Sequence, residues 1–200
     1  MTEKPKGRGL PPAPAPEALH EAALAHLARY GATTATLRRT LERRIDRWAQ
    51  KAMRSDPDSR DAIGRQAVEA KRAASEIVTR LAAAGALDDH AFAATRAKRL
   101  LRSGRSRRAV TAHLAARGID PNDAAAALPE DEEAELAAAL VLARRRRIGP
   151  FRSAGSQGDK DRLHELAILA RAGFGRDTAC RALAMDEAEA EALIRRLRLG

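Results

Sequence analysis

Three clusters of arginine are the residues of this 200-residue chain whose type and spacing could do chemistry. A guanidinium group forms paired hydrogen bonds with phosphate or carboxylate oxygens, so each cluster could bind an anion. A solvated helix face is the simpler interpretation of any one cluster, but the first two recur at matching positions of an internal repeat, which favours partner binding. The clusters are Arg38, Arg39, Arg43, Arg44 and Arg47; Arg102, Arg105, Arg107 and Arg108; and Arg144, Arg145, Arg146 and Arg147.

The overall charge of the chain points in the same direction. A formal net charge of +10 at pH 7 indicates attraction to an anionic partner. Nucleic acid, a nucleoprotein and an acidic protein face are the candidates, and an arginine content that merely reflects compositional bias is the alternative. Aromatic residues make up only 2% of the chain, so base stacking is not the expected binding mode. Contact with phosphates or with an acidic protein fits better.

Catalytic and metal-binding constellations are not found in the sequence. The five histidines show no metal-ligand spacing, and the single cysteine, Cys180, cannot build a Cys-rich zinc site or an intramolecular disulfide. Asp88 and Asp89 are better placed to start a helix than to act as an acid–base pair. We therefore expect no enzymatic activity, no cofactor, no metal and no small-molecule substrate.

Cysteine usage and hydropathy bear on where the chain works. A single cysteine is typical of a reducing compartment, and the N-terminus has no apolar region of the kind found in a secretory signal. The longest apolar stretch, 134–143, is too short to span a bilayer. We expect a soluble, cytoplasmic, monomeric protein with no membrane partner.

Helices must position the arginines, and one helical pattern recurs three times. Thr33, Ser106 and Gly175 each stand at a turn that opens a helix. A leucine lies six residues before each of them, a small or apolar residue lies four residues after, and another leucine lies eight residues after. The copies are 73 and then 69 residues apart, a period that fits a small helical module copied in tandem.

The rest of the chain is consistent with helices throughout. Beta-branched residues are few, and no segment alternates as a strand does. We predict an all-α fold of tandem three-helix modules in an elongated or curved array. The predicted divisions are a disordered proline-rich arm at 1–16, a first helical module at 17–60, a second module with a linker helix at 61–128, and a third module at 129–200.

The helix after Thr33 shows how the first cluster would be presented. At 100° per residue, Leu37, Leu41, Ile45 and Trp48 share one face, and the arginines lie opposite. One face would pack on neighbouring helices while the other presents guanidinium groups. In the middle module, the size of Phe92 and its place four residues after Asp88 predict that it is buried in the core.

The motifs together resemble the RecX family of bacterial recombination regulators, over about residues 18–197. The central motif is the most specific, because its apolar, glycine, Leu-Asp-Asp and phenylalanine positions stand at fixed offsets. The segment 166–183 looks like the family's third copy. The three motifs are Leu37-Arg38-Arg39-x-Leu41 with Arg43-Arg44; Val78-x-x-Leu81-x-x-x-Gly85-x-Leu87-Asp88-Asp89-x-x-Phe92-Ala93; and Arg105-Ser106-x-x-x-Val110-x-x-x-Leu114-x-x-x-Gly118-Ile119.

The resemblance implies a regulator in DNA repair, recombination and the SOS response. Such a protein binds the RecA recombinase filament on DNA and inhibits its ATP hydrolysis and strand exchange. Weak, non-specific binding to single- or double-stranded DNA is expected from the charge. A helix-turn-helix-like transcription regulator is the second candidate, because a three-helix module could place its second helix in a major groove. Its polar faces, mostly Arg, Glu and Ala, suit phosphates better than base edges.

Overall fold

The computed structural model describes residues 12–129, 131–152 and 159–199, and within these ranges it contains helices and no strand. The all-α prediction is confirmed. Residues 1–11 of the predicted proline-rich arm lie outside the described residues, and no described helix is long and apolar enough to cross a bilayer. The described α-helices are α1 (Pro16–Arg29), α2 (Thr34–Ser55), α3 (Arg60–Ala83), α4 (Asp89–Arg102), α5 (Arg107–Ala116), α6 (Pro121–Ala126), α7 (Glu132–Arg146), α8 (Asp159–Arg171), α9 (Arg176–Ala184) and α10 (Glu187–Leu199).

The chain divides into two compact units. Unit 1 is Met1–Asp88, with α1 to α3, and unit 2 is Asp89–Gly200, with α4 to α10. Each unit has its own hydrophobic clusters. The three-module division at 17–60, 61–128 and 129–200 remains a prediction.

The core of unit 1 is built on α2. Leu37, Leu41 and Ile45 are buried, as the helical spacing predicts. They form one cluster with residues of α1 and α3, including Leu19 and Ile77. Trp48 is half-buried beside a smaller cluster of Ala49, Ala52 and Ile63. The buried face of α2 leaves its opposite face to solvent.

The core of unit 2 surrounds α7. Residues 136–141 of that helix are all buried, which is typical of a helix enclosed by neighbours rather than lying at a surface. Phe174 is also buried, with 4% of its surface exposed. The prediction for Phe92 is wrong in degree: Phe92 lies in the first turn of α4, and its ring is only partly buried against the cluster.

The repeat register predicted from spacing is confirmed at the helix starts. Thr33, Ser106 and Gly175 are the N-cap residues of α2, α5 and α9. Thr33 forms a capping box with Thr36, in which each side-chain oxygen accepts a hydrogen bond from the other residue's backbone N–H. Ser106 Oγ accepts from the Ala109 N–H at 3.2 Å, whereas glycine has no side chain to cap with. The three copies therefore share a position and differ in capping strength.

Candidate anion-binding surfaces

The first arginine cluster forms an exposed face on α2. All five of its members are exposed, opposite the buried leucine face. Arg43 Nη2 donates to Thr40 Oγ1 at 3.2 Å, and Arg47 Nε donates to the Arg43 carbonyl oxygen at 3.2 Å. Among the described residues, Arg38, Arg43, Arg44 and Arg47 form no ion pair with a carboxylate. We call this surface the α2 arginine face.

Two residues of the other clusters are held inside unit 2. Arg107 is half-buried and its Nη1 donates to the Pro129 carbonyl oxygen. Arg144 is also half-buried, and its Nη1 donates to both carboxylate oxygens of Glu191, at 3.0 and 3.1 Å. The first contact joins α5 to the segment between α6 and α7, and the second joins α7 to α10, so both arginines help to hold unit 2 together.

Glu135 completes the environment of Arg107. Its Oε2 accepts the Arg107 backbone N–H at 2.8 Å and so satisfies a donor in the first turn of α5. Burial raises the pKa of the Glu135 carboxyl, and the hydrogen bond and the positive charge of Arg107 oppose that rise. The first turn of α5 is therefore held by α7 as well as by its own cap.

Three further cluster arginines meet Arg171 at a groove of about 670 Å³ in unit 2, whereas Arg102, Arg108 and Arg147 lie outside its lining. Arg105 lies in the turn between α4 and α5, Arg145 and Arg146 in the last turn of α7, and Arg171 in the last turn of α8. None of the described residues that line it is acidic, and Arg145 Nη1 donates to the Ser103 carbonyl oxygen at 3.2 Å. We call this site the four-arginine groove.

Close approach of three helix ends shapes this groove. Gly104 has φ +82° and lies against α7, where a Cβ atom would be 3.0 Å from the backbone nitrogen of Leu142. Ser106 Oγ donates to the Ala172 carbonyl oxygen at 2.8 Å, and a Cβ atom on Gly173 would be 2.7 Å from that hydroxyl. Gly104 therefore allows the α4–α5 turn to approach α7. Gly173 and Ser106 allow the α8–α9 turn to approach the α4–α5 turn.

A second concavity of unit 2 is mainly apolar. Its volume is about 500 Å³, and it lies between α4, α6, α7 and α10. Leu101, Leu128 and Leu193 line it, with cations and carboxylates at its rim. Within the described residues no group of three or more side chains could hold a metal ion.

Comparisons with known proteins agree with this architecture. A sequence model of RecX, second three-helix domain, matches residues 88–128, which hold α4 to α6. The regulatory protein RecX of Myxococcus xanthus (strain DK1622) is 36% identical over 175 residues, covering 86% of this chain and 87% of that protein. The chain belongs to the RecX family. The regulatory protein RecX of Agrobacterium fabrum (strain C58) is 32% identical over 154 residues, covering 72% of this chain and 82% of that protein.

A solved RecX structure has the same fold. The crystal structure of RecX from Lactobacillus salivarius superposes with a TM-score of 0.54, at 18% identity, over 92% of this chain and 97% of that one. The RecX assignment made from the motifs is thus confirmed by relatives. The thirteen arginines selected from the sequence remain predicted contacts.

Arg171 is the groove residue that sequence reasoning missed. The repeat of this RecX-family chain contains a signal that could have found it. Arg102 lies four residues before the anchor Ser106, and Arg171 lies four residues before the anchor Gly175. Arg171 does not belong to a dense cluster of arginines, so its position in the repeat is the signal that identifies it.

The electrostatics of unit 2 predict a pH dependence for this RecX-family chain. Arg96 Nε donates to His113 Nε2 at 3.1 Å. Burial, followed by the charges of Arg96, Arg117 and Arg105, lowers the pKa of His113 from 6.5. As the pH falls, His113 is therefore protonated in the unfolded chain before it is protonated in the folded chain. Its contribution to the free energy of unfolding is complete above about pH 6.5 and is lost as the pH falls toward the folded-state pKa.

We expect His113→Gln to lose less stability in acid than the wild type, because glutamine can still accept from Arg96 but does not titrate. Urea unfolding of both proteins at about pH 7.5 and about pH 5.5 measures the two losses in free energy of unfolding. Equal losses in both proteins would contradict the expectation.

Proposed function

We propose that this chain binds the RecA recombinase filament on DNA, in the cytoplasm, and lowers its ATP hydrolysis and strand exchange. The observation that carries the proposal is the α2 arginine face, which is exposed along a helix whose other side is fixed in a core. Family membership over most of the chain supports the regulatory role. A filament repeats its binding surface, so a protein of repeated modules can form several contacts at high effective concentration.

The direct test is ATP hydrolysis by RecA on single-stranded DNA, measured with and without the chain. We expect the rate to fall as the chain is added. A rate that does not change, or that rises, would contradict the proposal as stated.

The α2 arginine face gives the sharper prediction. We expect the double substitution Arg39→Glu, Arg43→Glu to raise the concentration needed for half-inhibition roughly tenfold, because attraction to the partner becomes repulsion. Both residues are exposed, so the stability of unit 1 should change by only about 0.5 kcal/mol for each. The measurements are the RecA hydrolysis assay and a thermal melt.

A matched control separates this face from net charge. The double substitution Arg60→Glu, Arg65→Glu changes the charge equally, at two exposed positions of α3 in the same unit. We expect it to inhibit RecA like the wild type. If the two double variants were equally impaired, the effect would be one of total charge and not of the α2 arginine face.

A sequence-specific transcription regulator receives less support from the same structure. In that reading α5 would be the recognition helix, and its first residues would reach base edges. Arg107, the first residue of α5, instead donates to the Pro129 carbonyl oxygen inside unit 2. Of the first two residues only Arg108 is exposed, which suits a phosphate contact better than direct readout.

A further inference from the structure

We propose that the four-arginine groove of unit 2 binds the phosphodiester backbone of nucleic acid, independently of base sequence. The proposal rests on the proposed function in placing the chain on a nucleoprotein filament, and it assigns the nucleic-acid contact to a site separate from the α2 arginine face. The groove brings together Arg105, Arg145, Arg146 and Arg171, and no acidic side chain lines it within the part of the chain that the structure describes.

The simplest alternative is that these arginines only neutralise helix dipoles. Three helices, α4, α7 and α8, end at the groove, and each C-terminus carries about −0.5 of an elementary charge. Together the three helix ends contribute about −1.5 elementary charges, whereas the four guanidinium groups carry four positive charges. After the helix ends are neutralised, a net charge of about +2.5 remains, so the groove attracts an external anion.

The positive charge is also available for binding. Arg105, Arg146 and Arg171 are exposed and form no ion pair with a carboxylate among the described residues. Arg145 uses one donor on Ser103 and keeps others, because a guanidinium group has five N–H donors. That hydrogen bond fixes the Arg145 side chain across the groove, which reduces the ordering needed when an anion binds.

The lining favours a phosphate backbone over an acidic protein segment. Protein interfaces depend on buried aromatic or large apolar anchors, and no aromatic side chain is found among the described residues that line this groove. Its remaining lining is Ser103, Gly104 and Ala172 with the partly buried Leu142 and Ile168. Guanidinium groups without aromatic platforms bind phosphates and leave the bases unread.

The test measures binding of a fluorescent oligothymidylate to the full chain by anisotropy, without RecA, between about 50 and 200 mM salt. Each phosphate contact on a single strand contributes about −0.7 to the slope of log affinity against log salt. We expect Arg105→Gln, Arg171→Gln to make the slope shallower by about 1.4 and to weaken binding roughly 10- to 100-fold at the lower salt concentration.

Two control variants keep the result interpretable. Arg195→Gln, Arg198→Gln removes the same charge from exposed positions of α10 outside the groove lining, and should keep the wild-type slope. Arg105→Lys, Arg171→Lys keeps the charge and should keep most of the slope, so a Gln variant that unfolds does not end the test. Equal slopes in the two Gln variants, or a Lys variant that loses the slope while folded, would overturn the proposal.

A competition arm separates the sources of phosphate. Inorganic tripolyphosphate should displace the oligonucleotide only at concentrations far above those of an unlabelled oligonucleotide, because it cannot extend beyond the groove. If tripolyphosphate bound the groove and the oligonucleotide did not, the partner would be a small polyphosphate and the proposal would be wrong. This binding assay contains no RecA. Its outcome therefore does not depend on whether the chain inhibits RecA.

Discussion

Replacing Phe174 with alanine is expected to lower the free energy of unfolding of unit 2 by about 3–5 kcal/mol. The ring is 4% exposed and lies in the cluster around α7, and its backbone N–H donates to the Leu169 carbonyl oxygen at 3.1 Å in the turn that ends α8. Many neighbours in that cluster are alanines, which are too small to refill the space. The loss therefore combines the transfer of the ring with a persistent cavity. Urea unfolding followed by circular dichroism measures it.

Phe92→Ala is the matched control. Phe92 lies in the same unit and packs against the same cluster, but its ring is only partly buried. We expect a loss of about 1–2 kcal/mol, because part of the ring is in water in both states. An equal or larger loss at Phe92 would show that Phe92 is the main aromatic anchor of unit 2.

Replacing Gly104 with alanine is expected to destabilise unit 2 by about 2–5 kcal/mol. The left-handed backbone at φ +82° costs roughly 1–2 kcal/mol for a residue with a Cβ atom. Overlap with α7 adds roughly 1–3 kcal/mol, because the Cβ atom would be 3.1 Å from Val141 Cγ1 as well as close to the α7 backbone. Amide hydrogen exchange, read for each unit separately, measures the loss.

Gly85→Ala provides a control that shares the backbone conformation but lacks the overlap. Gly85 has φ +73°, and a Cβ atom there would meet nothing within 4 Å. We expect only the conformational cost of roughly 1–2 kcal/mol, confined to unit 1. If Gly104→Ala cost no more than Gly85→Ala, α7 would be able to move away from the turn, and the close approach at the groove would carry no energetic weight.

Helix positions and caps could be predicted from the sequence because both are local. The period of apolar residues identifies the buried face of α2, and Thr33 and Ser106 are residue types that prefer an N-cap. The depth of burial could not be predicted in this way. Phe92 lies in the first turn of α4 and Phe174 in the turn between α8 and α9, and how deeply each ring is buried depends on packing between helices.

Only part of the candidate site could be predicted from the sequence, because the rest depends on packing between segments that are distant in the chain. The α2 arginine face lies on one helix, so periodicity alone predicts its exposure. The four-arginine groove joins three helix ends that are far apart in the chain. The ties of Arg107 to Pro129 and of Arg144 to Glu191 also link distant segments. Pairings of this kind depend on how the helices pack, which local patterns do not specify.

The separate hydrophobic clusters of the two units have a consequence for how this chain tolerates change. A substitution at Leu41 and a substitution at Leu114 lie in clusters that share no member. Their effects on stability should therefore add, whereas two substitutions within one cluster should couple. Epistasis in the core is thus confined within each unit. In descent from a common ancestor, one unit could repack its interior without any compensating replacement in the other.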